Sequence, residues 1–145
     1  MLGSAVVSTE AGVPTSVLDA SALMAFIHGE EGKAAVAAAL AGRSAISVVN
    51  WAEVLSKVAE RGGDPVALEL DYRERGFIGR ALAIEGMTEA DCIKAARLRP
   101  VTVAQGLSLA DRTCLALAAR LGVPALTTDR SWADADVEAE VQLIR

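Results

Sequence analysis

Two short apolar runs that end at an aspartate restrict the fold of this sequence more than any other feature. Residues 16–18 lead to Asp19, and residues 124–128 lead to Asp129. Short apolar runs of this kind are typical of buried parallel strands, and a helix-favouring segment follows Asp19 at once. In an open α/β sheet, ligands bind at the edge formed by the carboxyl ends of the strands. The two runs therefore predict a parallel sheet with carboxylates at that edge.

Strand-like and helix-like segments alternate along the rest of the chain. Helices are predicted at residues 20–27, 33–41, 51–62, 65–75, 89–98 and 109–121, and strands at 16–18, 45–49, 80–84, 124–129 and 137–144. This alternation predicts an α/β fold in which helices cover both faces of a parallel sheet. The length of 145 residues fits one domain. We expect residues 1–15 to be a flexible leader and residues 16–145 to form the domain.

The composition agrees with helices packed on a sheet and limits the choice of partners. Hydrophobic residues make up 52% of the chain but aromatic residues only 3%, so Ala, Val, Leu and Ile must build the core. The net charge of -5 argues against binding nucleic acid through overall positive charge, although 14 Lys and Arg residues could form a local basic rim. No apolar run approaches the ~18 residues that span a bilayer. We expect a cytoplasmic protein.

Two further acids are predicted to reach the same edge of the sheet. Glu53 comes three residues after Asn50, and Asp111 comes three residues after Ser108. If Asn50 and Ser108 cap their helices, both acids lie in a first helical turn that faces the carboxyl ends of the strands. Taken singly, each acid is explained equally well as part of a helix cap.

Four carboxylates in one cleft would repel each other unless a cation compensated their charge. Oxygen ligands favour a hard ion, Mg²⁺ or Mn²⁺. Such ions lower the pKa of a bound water and hold phosphate oxygens during in-line displacement, so no histidine is needed. We expect the lone His28 to be a solvated surface residue, and Cys92 and Cys114 to be buried reduced thiols.

Four sequence blocks resemble the PIN-domain ribonucleases and, more narrowly, the VapC toxins of bacterial toxin–antitoxin pairs. They are VLDASAL at 17–23, NWAEV at 50–54, SLADR at 108–112 and LTTDR at 126–130. The order and spacing of all four blocks match, and the resemblance runs from about Ser16 to the C-terminus. It implies a three-layer α/β/α sandwich with a mainly parallel central sheet.

The resemblance also implies a function. It predicts a Mg²⁺- or Mn²⁺-dependent endoribonuclease that cleaves RNA phosphodiester bonds and acts as the toxin of a toxin–antitoxin pair. The expected partners are a second copy of the chain, in a homodimer, and a VapB-type antitoxin whose C-terminal segment occupies the active-site groove. The catalytic and metal-binding acids of the family correspond here to Asp19, Glu53, Asp111 and Asp129.

Several other residues are weaker candidates for the site. Ser21 and Thr128 match small hydroxyl residues beside the metal site of the family, but a helix cap and a strand residue explain them equally well. Arg112, Arg130 and Lys57 follow the predicted metal-site acids and could contact RNA phosphates, or form surface ion pairs instead. The competing hypothesis is a catalytically inactive PIN-like interaction module, in which the four acids only cap helices and no metal binds.

Overall fold

A computed structural model of the protein describes residues 12–145, so most of the predicted leader, residues 1–11, lies outside the described residues. The elements in chain order are β1 (Ser16–Leu18), α1 (Ala20–Ile27), α2 (Lys33–Ala41), β2 (Ser44–Ser47), α3 (Val48–Glu60), α4 (Pro65–Glu74), β3 (Leu82–Glu85), α5 (Glu89–Thr102), α6 (Leu109–Leu121), β4 (Ala125–Thr127) and β5 (Val141–Leu143). A π-helical turn, Phe77–Ala81, and two 3₁₀ turns, Val103–Gln105 and Arg130–Asp134, connect some of them.

The five strands form one sheet in the order β3-β2-β1-β4-β5, and every pairing is parallel. The strand β1 lies in the centre, where Val17 pairs with Ala45 on one side and with Ala125 on the other. The predicted α/β fold with a parallel sheet is confirmed. Because all strands run the same way, their carboxyl ends meet at one edge.

Apolar clusters lie on both faces of the sheet and produce three layers. Successive side chains of β1 point to opposite faces. Leu18 therefore joins the cluster formed with α1, α2 and α3, whereas Val17 joins the cluster formed with α6. Both side chains have no exposed surface. Packing on both faces of the sheet therefore holds in place the backbone of the residues at the carboxyl ends of the strands.

Local caps begin most of the helices where the sequence predicts them. Asp64, Thr88 and Ser108 cap α4, α5 and α6 through their side chains, and Pro65 occupies the first position of α4. The predicted bounds of α1, α2 and α6 agree with the structure. These helix starts can be predicted because Asp, Thr and Ser are preferred at the N-cap, where their side-chain oxygens accept hydrogen bonds from backbone N–H groups that have no partner within the helix.

The boundary between β2 and α3 differs from the prediction. Ser47, not Asn50, caps α3, because its Oγ accepts a hydrogen bond of 3.1 Å from the N–H of Val49. The predicted strand over 45–49 therefore extends two residues too far. Glu53 consequently lies in the second turn of α3 rather than in the first.

The helix predicted over residues 89–98 is longer in the structure. The helix α5 continues through Pro100 to Thr102. A proline near the end of a helix removes only one backbone hydrogen bond, and the hydroxyl of Thr102 donates to the carbonyl of Leu98 at 2.7 Å. That bond supports the last turn. The strand predicted over 137–144 is also shorter than expected, because only Val141–Leu143 pairs with β4.

Two smaller expectations are resolved by burial. Cys92 and Cys114 are free thiols, but only Cys114 is buried; Cys92 is exposed on α5, so its predicted burial is wrong. The side chain of His28 is exposed, as expected. Across residues 12–145, every helix is too short or too polar to cross a membrane.

Candidate active site

The four predicted acids line one cleft of about 360 Å³ at the carboxyl ends of β1 and β4. Asp19 directly follows β1, and Asp129 follows β4 by two residues. Glu53 comes from α3 and Asp111 from the first turn of α6. Four separate elements therefore bring their carboxylates to a single concave surface.

Asp19 forms the buried floor of the cleft, with 4% of its surface exposed. Its Oδ1 accepts hydrogen bonds from the N–H of Ala22 at 2.8 Å and from the hydroxyl of Ser21 at 2.7 Å. Its Oδ2 accepts a hydrogen bond from the hydroxyl of Thr127 at 2.5 Å. The first of these bonds caps α1, so Asp19 is a helix cap and a member of the cleft at once.

Burial controls the charge of Asp19. Removal from water raises the pKa of its carboxyl from 3.8 to about 6, because burial disfavours the charged form. The hydrogen bonds from Thr127, Ala22 and Ser21 oppose this rise, and the nearby negative charge of Asp111 adds to it. A carboxyl group with a pKa of about 6 changes between its neutral and charged forms near pH 6.

A small hydroxyl network joins β4 to the start of α1. The Oγ of Ser21 accepts a hydrogen bond of 3.1 Å from the backbone N–H of Thr128, and the Oγ1 of Thr127 accepts one of 3.0 Å from the N–H of Asp129. Thr128 therefore takes part through its backbone. Thr127 is not among the site residues predicted from the sequence. The available signal is a hydroxyl side chain at the end of an otherwise apolar, buried strand.

Asn50 positions Glu53 and does not cap the helix. Its side chain is fully buried, and its Nδ2 donates to the Oε1 of Glu53 at 3.1 Å and to the carbonyl of Ala110 at 3.2 Å. The second bond links α3 to the start of α6. The Oδ1 of Asn50 is buried without a hydrogen-bond partner among the described residues. Asn50 thus fixes two walls of the cleft relative to each other.

Asp111 and Asp129 each use one carboxylate oxygen to accept hydrogen bonds at the start of a helical segment, α6 and the 3₁₀ turn Arg130–Asp134 respectively. The Oδ2 of Asp111 accepts from the N–H of Ser108 at 2.9 Å, completing a capping box, and the Oδ1 of Asp129 accepts from the N–H and the hydroxyl of Ser131 at 3.0 and 2.7 Å. Burial raises the pKa of Asp111; hydrogen bonds from Ser108 oppose the rise, and the charge of Asp129 adds to it.

The positive side chains of the cleft differ from those predicted. The predicted Lys57 lines it, as do Arg61 and Arg145, for which the sequence carries no signal. Arg112, which could contact RNA or form an ion pair according to the sequence, is buried and does not line the cleft; its Nη1 donates to the carbonyl of Ala95 at 2.8 Å. The bond to Ala95 links its guanidinium on α6 to α5. Arg130 is exposed but does not line the cleft.

Comparison with known families agrees with the fold and with the blocks that carry the acids. The sequence profile of the PIN domain matches residues 16–138, which is most of the chain. The chain belongs to the PIN-domain family. No curated protein sequence matches the chain significantly.

Solved structures similar to this PIN domain share its fold at low sequence identity. A toxin–antitoxin complex from Klebsiella pneumoniae contains a chain that is 19% identical, with a TM-score of 0.65, covering 90% of this chain and 98% of that one. The DNA-bound VapBC from Salmonella typhimurium gives 16% identity, the same TM-score and the same coverage. FitAcB from Neisseria gonorrhoeae gives 20% identity, a TM-score of 0.65, and coverage of 89% and 97%.

The donor set of this PIN domain fits a hard divalent cation. Three cleft oxygens, Glu53 Oε2, Asp111 Oδ1 and Asp129 Oδ2, accept no hydrogen bond from the described residues and are free to bind an ion. Carboxylate oxygens are the ligands that Mg²⁺ and Mn²⁺ prefer. Within residues 12–145, no three acidic, cysteine or histidine side chains already stand together as a complete ligand set. A cation would draw together carboxylates that otherwise repel each other.

Proposed function

We propose that this PIN domain is a Mg²⁺- or Mn²⁺-dependent endoribonuclease that hydrolyses the phosphodiester bonds of RNA. The observation that carries the proposal is the convergence of Asp19, Glu53, Asp111 and Asp129 on one cleft at the carboxyl edge of the sheet. Helix capping alone would not require that four acids from four elements share a cavity. The free oxygens on three of them support a metal-binding role.

In this proposal some residues of the cleft bind the ion and others position the residues that bind it. A bound Mg²⁺ or Mn²⁺ supplies an acidified water and positive charge for the phosphate. Asp19, Glu53, Asp111 and Asp129 would hold the ion. Ser21 and Thr127 hold both oxygens of Asp19 in place. Such fixed positions matter because catalysis depends on oriented groups.

We further propose that the protein is the toxin of a toxin–antitoxin pair in the cytoplasm. The similar structures are described as a toxin–antitoxin complex and as VapBC, which supports a VapB-type antitoxin as partner. We also propose that the active form is a homodimer. Expression without the antitoxin should arrest bacterial growth, and expression of Asp19→Asn should not. Light scattering should give twice the chain mass of 15.0 kDa.

The test of the nuclease proposal is cleavage of total cellular RNA by the purified protein in Mg²⁺, Mn²⁺ or EDTA. We expect discrete products that require metal and disappear in Asp19→Asn. Asp136→Asn is the matched control, because Asp136 is an exposed aspartate that does not line the cleft. It should cleave like the wild type.

The same experiment tests the inactive interaction module. That alternative predicts no cleavage and no metal binding by a folded protein, because its acids only cap helices. Cleavage by Asp19→Asn at the wild-type rate would also contradict the nuclease proposal, since the products would then come from a contaminating enzyme.

A further inference from the structure

Three basic side chains, Lys57, Arg61 and Arg145, line the same cleft as the four acids, together with Glu30 and Glu60. On α3, Glu53, Lys57 and the C-cap residue Arg61 follow each other at intervals of four residues, which places them on one face of the helix. With the rise of an α-helix, Lys57 lies ~6 Å and Arg61 ~12 Å farther along the axis than Glu53. The row leads away from the acids.

The fold holds Arg145 at this place. Leu143 pairs with Thr127 at the end of β4, and the N–H of Ile144 donates to the carbonyl of Thr127 at 3.1 Å. Ile144 packs against Gly32. A Cβ added at Gly32 would lie only 2.9 Å from Cδ1 of Ile144. Arg145 then donates from Nη1 to the carbonyl of Glu31 at 3.3 Å. This segment is thus fixed to the loop between α1 and α2.

None of the three cations is tied to a carboxylate by a tight ion pair within the described residues. Arg145 and Glu30 are 3.7 Å apart and both are partly exposed, which makes the pair weak. Arg61 contacts the imidazole of His28, and Lys57 forms no ion pair with the described residues. The remaining N–H groups of Arg61 and Arg145 and the ammonium group of Lys57 make no hydrogen bond with the described residues and can bind an anion that enters the cleft.

We propose that Arg145, Arg61 and Lys57 hold backbone phosphates of single-stranded RNA that flank the bond to be cleaved. The proposal rests on the proposed function, because RNA is the substrate assumed there. Arginine offers a two-pronged donor that matches a phosphate, and lysine offers a point charge. Such contacts position the strand and read no sequence. Six carboxylates also line the cleft, so the metal is needed to offset their repulsion.

The experiment measures RNA binding in a variant that cannot cleave. Labelled single-stranded RNA is titrated in Mg²⁺ buffer with Asp19→Asn, with Asp19→Asn plus Arg145→Gln, and with Asp19→Asn plus Arg61→Gln, at salt concentrations from about 50 to 200 mM. Each arginine change should weaken binding about tenfold. The slope of log affinity against log salt should fall by about 0.7 for each lost phosphate contact.

Two further variants separate the role from a folding defect. Arg145→Lys keeps the charge and should keep the salt slope while losing part of the affinity. Arg97→Gln removes an exposed arginine of α5 outside the acidic cleft and should change neither quantity. An unchanged slope in Arg145→Gln and Arg61→Gln, or no RNA binding by the Asp19→Asn parent, would overturn the proposal. A reduced slope beside a wild type that cuts no RNA would reject only the nuclease reaction.

Discussion

Asp19 combines three roles in one carboxylate. Its Oδ1 caps α1, its Oδ2 binds the hydroxyl of Thr127, and the group lies at the floor of the acidic cleft. Helix caps stabilise a structure, whereas burial of a charge destabilises it. The raised pKa of about 6 shows that burial outweighs the hydrogen bonds. The residue is therefore placed at a cost in stability, as is common for functional groups.

Replacing Asp19 should show the stability cost of its buried charge as a pH-dependent difference in melting temperature. The pKa of Asp19 is higher in the folded chain, about 6, than the ordinary 3.8, so the folded state binds more protons between these values and loses stability as the pH rises through them. The loss is on the order of 3 kcal/mol. Without metal, Asp19→Asn should therefore melt at or above the wild-type temperature at pH 8, and the difference should vanish near pH 4.

Thermal unfolding in EDTA at a series of pH values checks this expectation. Asp136→Asn should follow the wild type throughout. If Asp19→Asn melted well below the wild type at pH 8, the hydrogen bonds to Asp19 would matter more than its buried charge, and the residue would be structural.

Asn50 should matter for both stability and activity. Asn50→Ala removes the hydrogen bonds to Glu53 and to the carbonyl of Ala110 and leaves a small cavity, so it should lower the free energy of unfolding by about 1–3 kcal/mol. RNA cleavage should fall because Glu53 loses its support. Urea unfolding and initial cleavage rates measure the two effects. Ser56→Ala, an exposed change on the same helix, is the control; equal effects of both changes would contradict a positioning role for Asn50.

At the scale of elements, the sequence predicted what local chemistry determines. Asp19, Asp64, Thr88 and Ser108 mark helix starts because their oxygens bind free N–H groups within a few residues. The parallel sheet then follows from the alternation of strands and helices. Asp19, Asp111 and Asp129 could thus be assigned to the cleft from strand ends and a correct helix start, whereas the predicted position of Glu53 relied on a cap that the structure places at Ser47.

Contacts between distant elements could not be predicted in this way. The direction of Arg112 depends on how α6 packs against α5, and the place of Arg145 depends on how β5 pairs with β4. The bond from Thr127 to Asp19 joins residues 108 positions apart. Even the start of α3 was misplaced, because Ser47 and Asn50 are both good caps and only packing decides between them.

The contact between the C-terminal segment and α2 gives a prediction at this scale. Gly32 caps α2 with a φ of +98°, and an added Cβ would also lie 2.9 Å from the backbone oxygen of Ile144. Gly32→Ala should therefore cost more than the ~1–2 kcal/mol of a left-handed alanine and should displace Arg145. Gly29→Ala is the matched control, because Gly29 has a φ of +66° and open space around it.

Chemical denaturation of the two glycine variants separates strain from collision. Gly29→Ala should show the backbone cost alone and keep the wild-type RNA affinity. Gly32→Ala should lose more stability and some RNA affinity. Equal losses of stability and RNA affinity in the two variants would mean that the C-terminal segment shifts at little cost and that its position does not depend on the contact with Gly32.

At the scale of the whole molecule, about a third of the acidic side chains lie at one edge of the sheet. Six of the 19 acidic side chains line the cleft, with only three cations beside them. Asp19 and Asp111 both have raised pKa values, mainly through burial and partly through neighbouring carboxylates. The cleft therefore carries a charge repulsion that a bound divalent cation would relieve and that a monovalent salt would only screen.

Metal binding should consequently stabilise the entire domain. A ligand that binds only the folded state at 100 times its dissociation constant adds about 2.7 kcal/mol, which raises the melting temperature of a domain of this size by several degrees. We expect this rise with Mg²⁺ or Mn²⁺ at pH 8, and a smaller rise in Asp19→Asn. Below pH 6 the rise should shrink, because Asp19 must lose a proton before it binds the ion. NaCl at equal ionic strength separates binding from screening: the same shift with NaCl, or no shift with either metal, would favour the interaction module over the nuclease.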